Sequence, residues 1–186
     1  MLYICLKANP KKKYLMKTLV LLFFTFFLLP IHAQEIDTEN SKVLFAVSNM
    51  KVRTVEGKIG GMKGEIILDE AKPSKSYIDV CLDAKTINTD NTKRDNHLKG
   101  EDFFDVEQFP DICFVSSVIE NKADLLYVTG ELSLHGISKT VSIPLEYRNK
   151  ELTGTLKILR KDFKLGPNGG FMVGKEILVT IKCRFK

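Results

Sequence analysis

The chain contains no H-E-x-x-H, no G-x-S-x-G and no C-x-x-C. Their absence removes the common zinc-peptidase, serine-hydrolase and paired-thiolate chemistries. Beyond residue 33 there are only three cysteines, Cys81, Cys113 and Cys183, widely spaced. An odd number leaves at least one free thiol, and the spacing is not a disulfide framework. A bridge between two of them requires neighbouring strands; otherwise each is a small side chain in a sheet. Hydrophobic residues make up 44% and charged residues 27%, a balance that excludes disordered and collagen-like chains. No internal repeat or low-complexity stretch follows residue 33. The longest apolar run, residues 19–29, is too short to cross a roughly 30 Å hydrocarbon core comfortably.

Acidic residues are missing from one place. Residues 1–33 carry Lys7, Lys11, Lys12, Lys13 and Lys17 and no acid, so the net charge of +5 resides there. The other 153 residues hold 23 basic and 23 acidic side chains. A nucleic-acid-binding domain needs a concentrated basic excess, and this body is neutral. The basic stretch, the apolar run, Pro30 and then Ile31-His32-Ala33 read as a secretory signal peptide cut after Ala33. Met16 offers a second start, because the basic stretch is long. An uncleaved anchor is the rival, and the length of the run argues against it. No Cys follows the cut, so a lipid-modified N-terminus is not indicated. The expected organisation is a signal peptide over 1–33 and one domain over 34–186, long enough to bury a core without staples. The address is export, periplasmic or extracellular.

What is present is alternation with period two. Val43, Phe45 and Val47 share a face, as do Ile78, Val80 and Leu82. Further alternating runs centre on Phe114, Val128 to Leu134, Val141 to Tyr147, Leu152 to Ile158, and Ile177 to Phe185. Turn signals separate them at residues 121–124, His135-Gly136, Asn149-Lys150 and, as a longer loop, 166–170. Gly60, Gly61 and Gly64 loosen one strand region over residues 55–68. The count is about eight short strands, an all-β antiparallel sandwich or barrel. Pro144, lacking an N–H, belongs at an edge or a bulge. Residues 86–110 break the pattern. Asp90 or Asn91 caps a short helix running to about Lys99, with Gly100 as its stop, and Asp102 starts a second turn through Val106.

Candidate chemistry is sparse. Arg94, Asp95 and His97 crowd onto that helix. An acid–base site needs a nucleophile or substrate beside them; a polar clamp pinning the helical insertion to the barrel mouth needs neither and is favoured. His135 reads as an exposed turn residue. No metal site is expected. Residues 169–176 nearly match a phosphate loop, but Glu176 replaces the required Ser or Thr and a strand follows where a helix is needed. A flexible hairpin loop is the better reading.

The stretch Ile87-Asn88-Thr89-Asp90-Asn91-Thr92-Lys93-Arg94-Asp95-Asn96-His97-Leu98, with Asp102-Phe103-Phe104-Asp105 and Phe109-Pro110 after it, resembles the signature of the YceI family. Val128-Thr129-Gly130-Glu131-Leu132 and Arg160-Lys161-Asp162-Phe163 fit as well, and the resemblance spans nearly all of residues 35–186. Glu35, Asn40 and Lys164 depart from it, Lys164 standing where a Gly is common. The resemblance implies an eight-stranded antiparallel lipocalin-like barrel with a short helical insertion around residues 91–106. It further implies an elongated apolar pore for long amphiphiles such as polyisoprenoids or isoprenoid quinone-like molecules.

On that reading the pore is lined by Phe45, Val47, Ile78, Val80, Phe114, Val128, Leu132, Leu156, Ile158, Val179 and Ile181. Arg94, Asp95 and His97 shape or gate the mouth, and Arg94 or His97 meets an anionic head group. The expected role is carrier or sequestering protein, without catalytic residues and with a bound lipid in place of a cofactor. The rivals are a filled, structural envelope barrel and an enzyme on a lipid-like substrate using His97 and Asp95. A homodimer and a monomer are both compatible with the sequence.

Overall fold

A computed structural model describes residues 34–49, 53–167 and 173–186; the segment expected to be a signal peptide, 1–33, lies outside the described residues. The strands are β1 Lys42–Asn49, β2 Arg53–Ile59, β3 Lys63–Ile67, β4 Tyr77–Asp83, β5 Asp111–Lys122, β6 Leu125–Leu134, β7 Ile137–Arg148, β8 Glu151–Leu159 and β9 Val173–Arg184. They form one sheet in the order β2-β1-β9-β8-β7-β6-β5-β4-β3, every neighbouring pair antiparallel. The two edge strands, β2 and β3, are separated in the chain only by Gly60, Gly61 and Met62. The sheet has therefore curled until its edges meet, which makes it a barrel.

The seam is stitched by backbone bonds. Asp83 N–H, at the end of β4, donates to the Gly60 carbonyl (3.1 Å). Lys58 of β2 exchanges both bonds with Asn88 (2.9 and 3.0 Å). The expected single strand over 55–68 is thus two, and the sheet has nine strands instead of eight. Gly61 is the cause: its φ of +68 turns the chain from its β1 partner to its β4 partner, in a conformation that favours glycine. Around the circumference β2 and β3 act as one bent stave.

Three hairpin turns have both central residues at positive φ: Ala123-Asp124, His135-Gly136 and Asn149-Lys150. These are two-residue turns of the twist that antiparallel strands favour. The β7–β8 ladder ends at Leu145 opposite Gly154. The next β7 residue is Pro144, which has no N–H to continue it. From there the strands diverge, and Phe163 and Leu165 fill the wedge with Leu134 and Ile158, Ile137 packing against them.

One end of the barrel is shut by residues 34–36 and the C-terminal strand's end. Ile36 bridges Phe185, Lys186 N–H donates to the Glu35 carbonyl (3.0 Å), and Gln34 N–H donates to Ile66 (3.0 Å). Ile36, Leu152, Cys183 and Phe185 are buried there. Cys81 and Cys113 lie directly opposite on β4 and β5 and form a disulfide, leaving Cys183 free and buried. The bridge closes a segment of sequence separation 32 that contains the helix. Replacing both cysteines by Ala is expected to lower the unfolding free energy by about 2–4 kcal/mol through unfolded-state entropy. A urea titration reads this as a lower midpoint; an unchanged midpoint would show that the bridge adds no constraint.

Candidate functional site

The barrel is hollow. A cavity of about 380 Å³ lies inside it, walled almost wholly by Val, Ile, Leu and Phe. Inward positions of β1 and β9, among them Val43, Phe45, Val47, Val179 and Ile181, are only half-buried. That is the mark of side chains facing a space instead of a packed core. Phe45 fits because its partner across the ladder is Gly57; a Cβ there would lie 2.3 Å from Phe45 Cζ and 2.8 Å from Thr89 Cγ2.

Ten of the eleven residues expected to line a pore do line this cavity: Phe45, Val47, Ile78, Val80, Phe114, Leu132, Leu156, Ile158, Val179 and Ile181. Val128 does not, and is corrected. It is fully buried, flanked across its strand by Ile119 and Ile143, so it belongs to the packed part of the core. Alternation places it on the inner face but says nothing of the depth at which the barrel becomes solid.

The helix, α1 (Thr92–Lys99), stands at the end of the barrel away from Ile36 and Phe185. Asn91 caps it, accepting from Arg94 N–H, and Gly100 closes it. It has no fully buried residue; Leu98 packs against the core, and polar bonds supply the rest of the hold. Arg94 Nε donates to Thr89 Oγ1 (2.8 Å) and Nη2 to the Thr89 carbonyl (2.7 Å). Thr89 donates its N–H (2.9 Å) and its hydroxyl to Asp95 Oδ1. Asn88, beside it, is paired to β2. The clamp therefore grips the strand of chain that leads into the helix. Arg94 and His97 line the cavity, with Leu98, Phe103 and Phe104, whereas Asp95 is turned to Thr89 and does not. His97 meets the Phe103 ring edge-on at 5.1 Å between centroids.

Sequence reasoning missed Arg160. It is 1% exposed and also lines the cavity. Its Nε donates to the Gly174 carbonyl (2.8 Å) and its Nη1 to those of Leu165 (2.8 Å) and Pro167 (3.0 Å). This side chain shapes the loop facing the helix. Gly166 in that loop donates its N–H to Asp102 (2.7 Å), and Phe103 lies against it, where a Cβ would come within 2.6 Å. The signal was available: Arg160 continues the inward phase of Leu156 and Ile158. Lys161 next to it is held below its ordinary pKa by desolvation and then by the Arg160 charge. His135, expected in an exposed turn, is half-buried and its Nδ1 lies 3.1 Å from the Phe163 carbonyl. The near phosphate loop enters β9 at Val173, a strand; its residues 169–172, and most of the loop expected at 166–170, lie outside the described residues. Among the described residues no group of three His, Cys, Asp or Glu gathers as a metal site, and no helix is long and apolar enough to cross a membrane.

The description YceI-like domain matches residues 34–185. The chain belongs to the YceI family. It is 30% identical over 135 residues to protein YceI of Salmonella newport, covering 72% of this chain and 71% of that one. It is 26% identical over 150 residues to a UPF0312 protein of Photorhabdus laumondii, covering 81% and 71%. Among solved structures, Burkholderia cenocepacia BcnA matches with a TM-score of 0.74 at 24% identity, over 80% of this chain and 98% of that one. A polyisoprenoid-binding domain from Saccharophagus degradans matches at 0.62 and 12% identity, over 84% and 100%. The fold is the lipocalin-like barrel of the YceI family.

Against the YceI pattern, the departure at Lys164 now has a shape. Lys164 sits at φ +54, the left-handed region, at a cost of about 1–2 kcal/mol that Gly avoids. Asn40 instead earns its place by donating from Nδ2 to Asp37 (2.7 Å).

Two measurements test this local picture. Thr89→Val removes the hydroxyl shared by Arg94 and Asp95 and is expected to cost about 1–3 kcal/mol. Amide exchange across 92–99 should quicken; unaltered exchange would mean the clamp does not hold the helix. Cys183, lining the cavity near its closed end, has its thiol pushed up by burial, against a Ser41 hydrogen bond, to about 11. Its folded state holds the proton more tightly than the unfolded chain. The corresponding stability is complete below the ordinary value of 9.0 and is lost as pH rises towards about 11. Iodoacetamide should therefore spare Cys183 in the native protein below pH 9.0 and modify it in urea. Equal rates in the two states would contradict this burial.

Proposed function

We propose that this YceI-family protein is an exported carrier or sequestering barrel for a long amphiphilic lipid of the polyisoprenoid or isoprenoid-quinone type, bound without catalysis. The observation that carries the reading is the unfilled apolar interior. A cavity of about 380 Å³ lies within the roughly 300–1,000 Å³ of ligand pockets. Leaving an apolar wall of this extent to water is unfavourable, by roughly 25 cal/mol for each Å² that a guest would cover. A filled structural barrel would avoid this cost with larger side chains, so the space favours a guest. Each buried CH₂-sized unit of an apolar chain adds about 0.8 kcal/mol.

The Saccharophagus domain is a polyisoprenoid-binding one; at 12% identity it contributes the fold, and the ligand class here rests on the wall. The acid–base alternative loses support from Asp95, whose Oδ1 accepts both Thr89 donors instead of orienting His97. Export rests on the basic and apolar stretches of residues 1–33, and the place of action is the periplasm or the cell exterior.

Native mass spectrometry of the protein from its own host, followed by organic extraction, tests the reading. A discrete added mass that extracts as an isoprenoid is expected. Val179→Trp, which projects an indole into the cavity, should reduce that occupancy about tenfold or more, since overpacking excludes the chain. A bare mass, persisting after incubation with isoprenoid lipids, would return the molecule to the filled-barrel reading.

A further inference from the structure

The carrier reading leaves open how a guest reaches the interior. One end is tied across by Ile36, Phe185, Lys186 and Gln34. The other carries the insertion held at Thr89. Among the ladders of the sheet, β7–β8 is the shortest: strands of 12 and 9 residues share only the pairs from Leu145↔Gly154 to Arg148↔Glu151. Beyond them, residues 137–144 and 155–159 run side by side without a ladder. We propose that this split is a side portal through which the apolar guest enters and leaves, and that Phe163 is the leaf that shuts it. The inference rests on the carrier reading and adds a route to the same cavity.

Water already reaches the inner face of the barrel at the split. Lys139 pairs across its ladder with Leu132, which lines the cavity, yet Lys139 is exposed. Between that water and the cavity stand side chains and no ladder. Leu134, Ile158 and Leu165 face the cavity; Phe163, packed with them, does not. Phe163 is 2% exposed, so the seal is complete in this state. These residues form a cluster apart from the one that holds Val128, Ile119 and Ile143. Moving Phe163 therefore leaves the packed part of the core in place.

The leaf has a fixed side and a latched side. Leu165 is the fixed post: its carbonyl accepts from Arg160, its N–H donates to the Arg160 carbonyl, and Gly166 beside it donates to Asp102. Phe163 lies in the short turn Arg160–Phe163 before that post. Lys164 between them is left-handed, at φ +54, and a hinge is a position that absorbs a change in φ and ψ. On the β7 side the Phe163 carbonyl meets His135 Nδ1 at 3.1 Å, a side chain of the β6–β7 turn. Opening here exposes one aromatic ring and releases that bond. Opening any laddered sector would strip partners from a run of backbone groups. An entering apolar chain covers the surface that Phe163 uncovers, which offsets the exposure. Leu159, 47% exposed at the end of β8, offers a first apolar contact beside the split.

Stopped-flow binding of N-phenyl-1-naphthylamine, a neutral probe that fluoresces out of water, reads entry and release separately. Phe163→Ala should raise both rates about tenfold or more, because less apolar surface is exposed on opening. Affinity should move less than either rate, since Phe163 is not in the lining. His135→Asn withdraws the latch and keeps a residue that accepts the left-handed turn position. Both rates should then rise about twofold to tenfold, the worth of one hydrogen bond. Ser142→Cys with Lys157→Cys places thiols on the two lips, both exposed. Joining them with a bismaleimide should slow both rates about tenfold or more against the unjoined protein, and should keep Phe163→Ala slow as well. A joined barrel that exchanges probe at the unjoined rate, or rates unmoved by Phe163→Ala, would overturn the portal and place entry at the helix end. No binding of the probe by the unaltered protein would instead overturn the carrier reading, and the portal with it.

Discussion

A curled antiparallel sheet has two leftover edges, and this chain joins both with three residues. Gly60, Gly61 and Met62 carry the backbone from β2 to β3, and the Gly60 carbonyl is already paired to Asp83. Everything else depends on that closure. An open sheet with these sequences would show an apolar face to water; the closed one encloses it. Closure also sets where the helix goes. Lys58, just before the bend, pairs with Asn88, and Asn88 precedes the Thr89 that holds Arg94 and Asp95. The bend, the seam and the mouth are one continuous set of bonds.

The barrel is packed in one part and hollow in another. Glycine beside a large ring makes room for it in the wall. Gly57 lets Phe45 lie flat across its ladder, and Gly130 does the same for Phe114, whose Cζ would be 2.7 Å from a Cβ there. Val128 lies between larger aliphatic neighbours and is enclosed by them. Pro144 then prevents the wall from continuing between β7 and β8, and Phe163 and Leu165 close the gap with side chains. One wall is therefore hydrogen-bonded sheet and one sector is a hydrophobic plug.

Much of this was legible. Period-two alternation names the inner face without any structure, because a strand has only two faces. Asp90 or Asn91 at one end and Gly100 at the other bounded the helix for local reasons, a side-chain acceptor and a residue that ends helices, and the structure selects Asn91. What was not legible depends on register. The Cys81–Cys113 pairing required knowing that β4 and β5 are neighbours and in step. Thr89 was invisible as a clamp because its role comes from chain returning to it from the helix. The strand count was off by one because a positive-φ glycine interrupts hydrogen bonding without interrupting hydrophobicity. Alternation supplied a face for Val128 but no depth.

Arg160 shows how alternation can carry more than hydrophobicity. A charged residue in the inward phase of a barrel strand must be solvated by the protein or leave the fold. Here carbonyls from the segment after it supply that solvation, so one side chain both completes the wall and orders the loop beyond it. Lys139 sits in the same phase on β7 and has the opposite fate. It faces the sector where β7 and β8 have parted, and it is exposed. Both cations lie beyond the end of the β7–β8 ladder, so the split alone does not decide their fates; the carbonyls gathered around Arg160 do. The polarity of the interior thus follows from which backbone groups surround an inward side chain as much as from which residues point inward.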